Sequence, residues 1–242
     1  QIMIKSFKEK YIKNLFFYHI YRYFKYKFRF FKSYGATGED VLINKIFRKN
    51  NGFYVDVGAL HPINGSLTYN LYKRGWVGIN FDIIDENIRL LKLFRKYDQS
   101  INIAISSSSG KVNSYIFHPG SGLNTLEKKW ADKWALNLKK NYLTKKVKKT
   151  TLTNILNKLK VNNHFDLLNI DVEGHEYEVL NGLDLKKFRP RIITVEIHVG
   201  KTEAIFKTSV FKYLKKNNYE LISHYFHTSF FKAEAFIITE IL

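Results

Sequence analysis

Four side chains that can move a proton or hold a cation stand where two apolar runs give out. Asp171 and Glu173 follow the run from Phe165 to Ile170, and Glu196 and His198 close the run from Arg191 to Ile197. Neighbouring strands of an open sheet end in one crevice, so as strands these runs would bring the four groups together. Two chemistries are then open. A glutamate or the histidine takes the proton from an attacking hydroxyl. Alternatively, Asp171, Glu196 and His198 hold a divalent cation that acidifies that hydroxyl; this metal is the less favoured expectation. The competing structural role is capping, because Asp171 and Glu173 precede a helical pattern whose N-terminal dipole favours acids. His175, one turn on, is a further candidate.

A second constellation lies earlier. Asp56-Val57-Gly58-Ala59 ends a first apolar run, and Asp82 ends the next. Glycine at such a turn lets backbone approach a ligand. The acid one strand later suits ribose hydroxyls, with Asp85 competing for that role. No G-x-G-x-x-G is present, and the glycine after Gly58 is Gly65. The site therefore suits a nucleoside cofactor without a pyrophosphate, of which S-adenosylmethionine is one. Ala104 and Ile105 are placed to line an adenine slot. His61 sits in the loop nearest the cofactor.

The elements that must position these groups alternate in kind. Strands are expected at Phe53–Val57, Val77–Phe81, Ile101–Ile105, Phe165–Ile170 and Arg191–Ile197. Helices are expected after Gly38-Glu39-Asp40 and over Leu67–Lys73, Asn87–Tyr97, Thr125–Leu138, Thr151–Leu159 and Phe206–Lys216. Val112–Phe117 reads as a strand or an insert. A closing strand pair is expected at Tyr219–Ser223 and Ala233–Thr239. Such alternation predicts an α/β fold with a mostly parallel sheet, helices on both faces and an antiparallel edge.

Composition narrows the classes. The 242 residues are 45% hydrophobic, enough for one large domain with a full core. No apolar run reaches the length of a membrane span. The chain has no cysteine, which excludes disulfides and zinc–thiolate sites and makes a reducing, cytoplasmic setting the default. No signal peptide is expected from residues 1–34, whose apolar positions are broken by lysines. A formal charge of +19 attracts anions without naming them. Lys139, Lys140, Lys145, Lys146, Lys148 and Lys149 form a basic stretch that would suit a phosphorylated acceptor but reads first as a solvated loop. Residues 1–34 form a separate basic and aromatic helical extension, with 35–242 as the α/β domain. That extension suits the inner face of an anionic membrane or self-association.

Seven short motifs in series resemble the FkbM-type S-adenosylmethionine-dependent methyltransferases. They are Ser33-Tyr34 with Gly38-Glu39-Asp40; Tyr54 to Ala59 with His61-Pro62; Ser66 with Thr68-Tyr69; Arg74-Gly75-Trp76 with Gly78-Ile79-Asn80; Leu123-Asn124-Thr125; Ile170 to Gly174 with Glu176; and Val195-Glu196-Ile197. The resemblance covers roughly residues 33–200. It implies a class I methyltransferase, Rossmann-like, with a seven-stranded sheet and the cofactor at the strand C-termini. It implies that Asp56 and Gly58, with Ala59 beside them at the cofactor, line the methionine end, that Asp82 binds ribose, and that Glu39 and Asp40 close over the cofactor. Asp171, Glu173 and Glu196 would face the methyl acceptor, with His61, Asn124, Thr125 and His175 contacting it. Two positions depart from the family pattern. The ribose acid is usually Glu-Pro, whereas Asp82 precedes Ile83. Position 169, often lysine, is Asn169, which bears on the charge balance at Asp171.

The implied activity is O-methylation of a sugar hydroxyl, the sugar being nucleotide-linked or part of a surface polysaccharide pathway. A nucleic-acid methyltransferase is the alternative that charge and aromatics suggest. It is disfavoured because the Asn/Asp-Pro-Pro-Tyr signature is absent. A non-catalytic membrane-surface protein with this fold is the other alternative.

Overall fold

The computed structural model describes residues 32–236, together with Ile20 and Phe24, both helical. The chain divides into units 1–32 and 33–242, and the α/β architecture belongs to the second. The expected membrane or self-association role of residues 1–34 falls almost wholly outside the described residues. Among those residues no helix is long and apolar enough to cross a membrane.

A seven-stranded sheet organises the unit. Its strands are β1 (Phe53–Val57), β2 (Val77–Asp82), β3 (Gln99–Asn102), β7 (Leu167–Ile170), β8 (Ile192–Glu196), β9 (Tyr219–Tyr225) and β10 (Thr228–Ala233). Their spatial order is β3-β2-β1-β7-β8-β10-β9. The first five run parallel, and β10 is antiparallel to both of its neighbours. The order reverses between β1 and β7, which opens a crevice at their C-terminal ends.

Alternation along the strands divides the core. Val55, Val57, Leu168, Ile170, Ile193 and Val195 face one apolar cluster. Helices α5 (Leu152–Lys158), α6 (Glu176–Asn181) and α7 (Ser209–Lys216) cover that face. Tyr54, Leu167 and Ile192 face the other cluster, covered by α1 (Glu39–Ile46) and α2 (Tyr69–Lys73). Helix α3 (Asp85–Phe94) joins β2 to β3 and packs Ile88 and Leu91 on Ala59.

Three elements differ from expectation. The run Ile101–Ile105 is not one strand. Ile103 N–H donates to the Asp82 carbonyl at 3.2 Å, and the chain then leaves the main sheet. Ala104–Ile105 becomes β4, paired with β6 (Leu143–Thr150) in a second sheet of order β4-β6-β5. Most of the lysine stretch is therefore not a loop. Lys145 to Lys149 belong to β6, antiparallel to β5 (Gly110–Ile116), with Lys145, Lys146 and Lys148 exposed, whereas Lys139 and Lys140 precede the strand. Helix α4 (Lys128–Leu138) lies between these two strands in sequence.

The closing strand begins at Thr228, not Ala233. Phe226-His227 turns the chain, pairing Tyr225 with Thr228. Phe230 and Phe231 then enter the two clusters on opposite faces of the sheet. Burial of two adjacent phenylalanines outweighs the apolar tail that suggested a later strand. Residues 237–239 of that expected strand lie outside the described residues.

Candidate functional site

The strand ends build the site row by row. Val57, Ile170 and Val195 lie side by side across β1, β7 and β8. The next residue of each strand is Gly58, Asp171 or Glu196, and all three line a cavity of about 240 Å³. Gly58 adopts φ +88°, and a Cβ there would lie 1.7 Å from the Asp171 carbonyl oxygen. The glycine is thus required by the close passage of the chain's own β7 loop.

One end of this cavity suits a nucleoside. Asp82 ends β2 and is nearly buried. Its Oδ2 accepts Leu60 N–H at 2.9 Å, and its Oδ1 accepts Ile84 N–H at 2.7 Å and the Asn87 amide at 3.3 Å. Three donors fix the carboxylate at the cavity wall. Burial still outweighs them and pushes its pKa up to about 6. Asp85, the competing acid, does not line the cavity; it lies half-exposed on α3 with Arg89 at 2.7 Å. Phe81, Ile83, Ile103 and Ile105 supply apolar wall nearby. Ala104 is buried away from the cavity, because strand alternation turns Ile103 and Ile105 toward it instead.

Asp56 belongs to the other face of β1. Its Oδ2 accepts the Thr68 hydroxyl at 2.7 Å and its Oδ1 the Asn169 amide at 2.9 Å. Asn169 accepts the Thr194 hydroxyl at 2.7 Å, so one polar row crosses β1, β7 and β8. The departure at position 169 therefore bears on Asp56, not on Asp171. Buried Arg95 completes the support by donating to Thr68 Oγ1 at 2.7 Å. Asp56, Ala59 and Glu39 line a second small void that shares Gly58, Asp171 and Glu196 with the main cavity.

The loop before α1 closes by its own acids. Glu39 accepts Ala36 N–H at 3.0 Å and Thr37 N–H at 2.8 Å, which holds Ala36 at the main cavity. Asp40 accepts Ser33 Oγ at 2.6 Å, Tyr34 N–H at 2.9 Å and the Asn70 amide at 2.6 Å.

The acidic end carries Asp171, Glu173 and Glu196 on the wall. His198 Nε2 stands 3.0 Å from Glu196 Oε2 and 4.0 Å from Glu173 Oε2. The 3.0 Å contact lacks hydrogen-bond angles, and both of its atoms are buried without a hydrogen-bond partner. The Trp130 indole N–H donates to Glu173 Oε2 at 2.9 Å. Glu173 takes the left-handed backbone at φ +55°, a strained conformation for a residue with a Cβ.

Burial pushes both glutamates up, and neighbouring carboxylates add to the effect. Depth and then Glu196 raise Asp171, although its surface opens to the cavity and water tempers the first influence. Burial lowers His198, so the ring is neutral near pH 7 and keeps one bare nitrogen. Glu176 Oε1 accepts Gly174 N–H at 2.9 Å and so ties down the loop that precedes its helix.

The expected acceptor contacts divide. Asn124 and Thr125 line the cavity. Asn124 is held by Phe117 N–H and the His118 carbonyl, and Thr125 Oγ1 donates to the Glu173 carbonyl at 2.8 Å. His61 lies off the cavity wall, its Nδ1 accepting Ile63 and Asn64 N–H at 3.1 and 3.0 Å. His175 is buried between Glu127 at 2.6 Å and Ser106 at 3.1 Å. Sequence reasoning missed Leu60, Asn87 and Trp130. Asn87 had a local signal, an amide in the first turn after the acid. Trp130 had none, because its partner Glu173 lies 43 positions on.

A family model described as the methyltransferase FkbM domain matches residues 56–221. No curated protein matches significantly. Similar solved structures include an FkbM methyltransferase from Methylobacillus flagellatus KT, at 11% identity and TM-score 0.47, covering 76% of this chain and 44% of that one. The chain thus spans under half the length of that protein. A TehB-like SAM-dependent methyltransferase from Corynebacterium glutamicum shares 10% identity at TM-score 0.43, covering 90% and 96%. WbdD, solved with a kinase inhibitor, shares 10% identity at TM-score 0.46, covering 84% and 42%.

Proposed function

Because the chain belongs to the FkbM methyltransferase family, matched over residues 56–221, we propose that it moves a methyl group from S-adenosylmethionine to a sugar hydroxyl. The observation that carries this reading is a single cavity with an oriented carboxylate, Asp82, and three further acids, Asp171, Glu173 and Glu196. The donor set fits the cofactor. Asp82 has lone pairs left for ribose hydroxyls, the isoleucines offer an apolar slot, and Gly58 keeps backbone low beside them.

When bound, S-adenosylmethionine supplies a methyl group on a sulfonium that departs as a neutral thioether. The protein's own share is alignment and removal of one proton. Asp82 and the apolar wall hold the nucleoside end, and the Ala36 loop covers the cavity. One of these acids, in its ionised form, accepts the hydroxyl proton, and His198 stands behind them as an acceptor in contact with Glu196.

Acidic groups on a polar wall also suit a sugar, whose hydroxyls donate to carboxylates. A phosphate-bearing sugar suits the lysine ribbon as well. In β5 and β6, Lys111 faces Lys148 directly, a like-charge pair that destabilises a sheet. Pocket-lining Ile105 belongs to the same small sheet. An anion beside this ribbon would relieve the repulsion. The test is incubation with S-adenosylmethionine and a panel of nucleotide sugars, read by mass for one added methyl. Calorimetry showing no binding of the cofactor would defeat the reading at its first step.

A further inference from the structure

We propose that Glu173, Glu196 and His198 form a binding site for a first-row divalent cation such as Mn²⁺, Co²⁺ or Zn²⁺. One carboxylate oxygen from each glutamate and one imidazole nitrogen lie within 4.8 Å of one another. Metal bonds of about 2.1 Å place neighbouring ligands of an octahedron about 3.0 Å apart. The Glu196–His198 separation is 3.0 Å, and the Glu173–His198 separation is 4.0 Å. One edge is already formed, and a small movement of Glu173 completes the set.

Two further observations point to a missing cation. His198 Nε2 and Glu196 Oε2 are both buried, face each other closely and have no hydrogen-bond partner. Buried polar atoms are seldom left so. Moreover, among the described residues neither glutamate forms an ion pair with lysine or arginine, although the chain carries +19 overall. The two bare atoms stand beside Glu173 Oε2, which accepts from Trp130, and a metal ion would join all three.

The surroundings hold the ligands in place. Trp130 donates to Glu173 Oε2 at 2.9 Å, and the His198 ring sits between the Trp130 and His227 rings, with centroids at 4.7 and 4.4 Å. Orientation by such partners is typical of metal ligands. An imidazole with two carboxylates selects borderline first-row ions over calcium or magnesium. Glu173 and Glu196 also line the cavity, so a cation there lies at its wall and can polarise an incoming hydroxyl. The set differs from the Asp171, Glu196 and His198 expected from sequence: Glu173 replaces Asp171. The site's role in methyl transfer rests on the proposed activity, but the binding itself does not.

The test is calorimetric titration of the chelator-treated full chain with MnCl₂ and ZnCl₂, and the absorption spectrum with CoCl₂. One saturable site is expected, weakened at least about tenfold in Glu196→Gln and in His198→Gln, with Asp132→Asn, an exposed acid on α4, unaffected. Absence of binding, or binding unchanged in both variants, overturns the inference. Should the variants fail to fold, Mn²⁺-soaked wild-type crystals decide: an anomalous peak between the three side chains supports the site, and none there overturns it. If no metal binds while Glu196→Gln weakens S-adenosylmethionine but not S-adenosylhomocysteine, the cluster serves the sulfonium charge and the metal site is overturned. A chain that binds metal but no S-adenosylmethionine would instead remove the proposed activity alone.

Discussion

On the proposed reading Asp82 ties cofactor affinity to pH, and the effect can be worked out from its surroundings. Its pKa is raised from 3.8 to about 6 by burial. Ionising it in the folded protein is therefore harder than in the unfolded chain, by about 3 kcal/mol. The folded state holds this proton more tightly, so Asp82 favours folding most below pH 4, and that advantage is lost as pH rises through 6. Ribose hydroxyls donate to the charged form and partly offset the burden, so binding selects the carboxylate. Below pH 6 a proton must leave before the nucleoside binds, which weakens apparent affinity by a factor of about 1 + 10^(6 − pH). The loss is roughly tenfold at pH 5 and negligible at pH 7.5.

Asp82→Asn removes this titration. At pH 7.5 its affinity is expected to fall about 10- to 100-fold, the value of one or two hydrogen bonds to a charged group. Asparagine cannot accept from both the Leu60 and Ile84 N–H groups, so thermal unfolding must confirm that the variant is folded. The assay is calorimetry with S-adenosylhomocysteine, which lacks the sulfonium charge and so reduces the influence of the distant acids. If wild type and variant share one affinity, or one pH dependence, Asp82 does not hold the ribose.

The same geometry sets four other outcomes. Gly58→Ala should destabilise by at least about 3 kcal/mol, because its Cβ would overlap the Asp171 carbonyl; Gly65→Ala, with open space around it, should cost about 1 kcal/mol, and equal melting temperatures would contradict this. Glu173→Gly should relieve the left-handed backbone and leave the melting temperature unchanged or higher by about 1 kcal/mol equivalent, while methyl transfer is lost; retained turnover would remove Glu173 from the site. Arg95→Met should lower stability by about 3–5 kcal/mol in denaturant titration, since it leaves Asp98 buried without its cation at 3.8 Å; a loss under 1 kcal/mol would show the network to be dispensable. Deleting residues 1–32 should abolish flotation on anionic vesicles but leave S-adenosylmethionine binding intact, and unchanged flotation would discard the membrane role expected of that segment.

Much was legible in the sequence because it depends on local pattern. Short apolar runs marked β1, β2, β7 and β8, and helical patterns marked α3, α5 and α7 within a few residues. Acids and a histidine at the ends of β7 and β8 could be read as one site because parallel neighbours end on the same side. The serial motifs pointed to the family that the domain model matches.

Other features depend on partners far away in the chain. No local signal says that Asp56 faces Thr68 and Asn169 while Asp82 faces the cavity; strand alternation and the packing of α2 decide it. Likewise, Ile103 and Ile105 line the wall in place of Ala104 because the chain leaves β3 to pair with β6. Lys145 to Lys149 become a strand only because Gly110 to Ser114 run antiparallel beside them. Sequence alone thus determined which elements form and which chemical groups stand at their ends, since those depend on residue type and period. Tertiary structure decided which groups are taken up by internal hydrogen bonds and which remain for a ligand, because that depends on neighbours the chain meets only when folded.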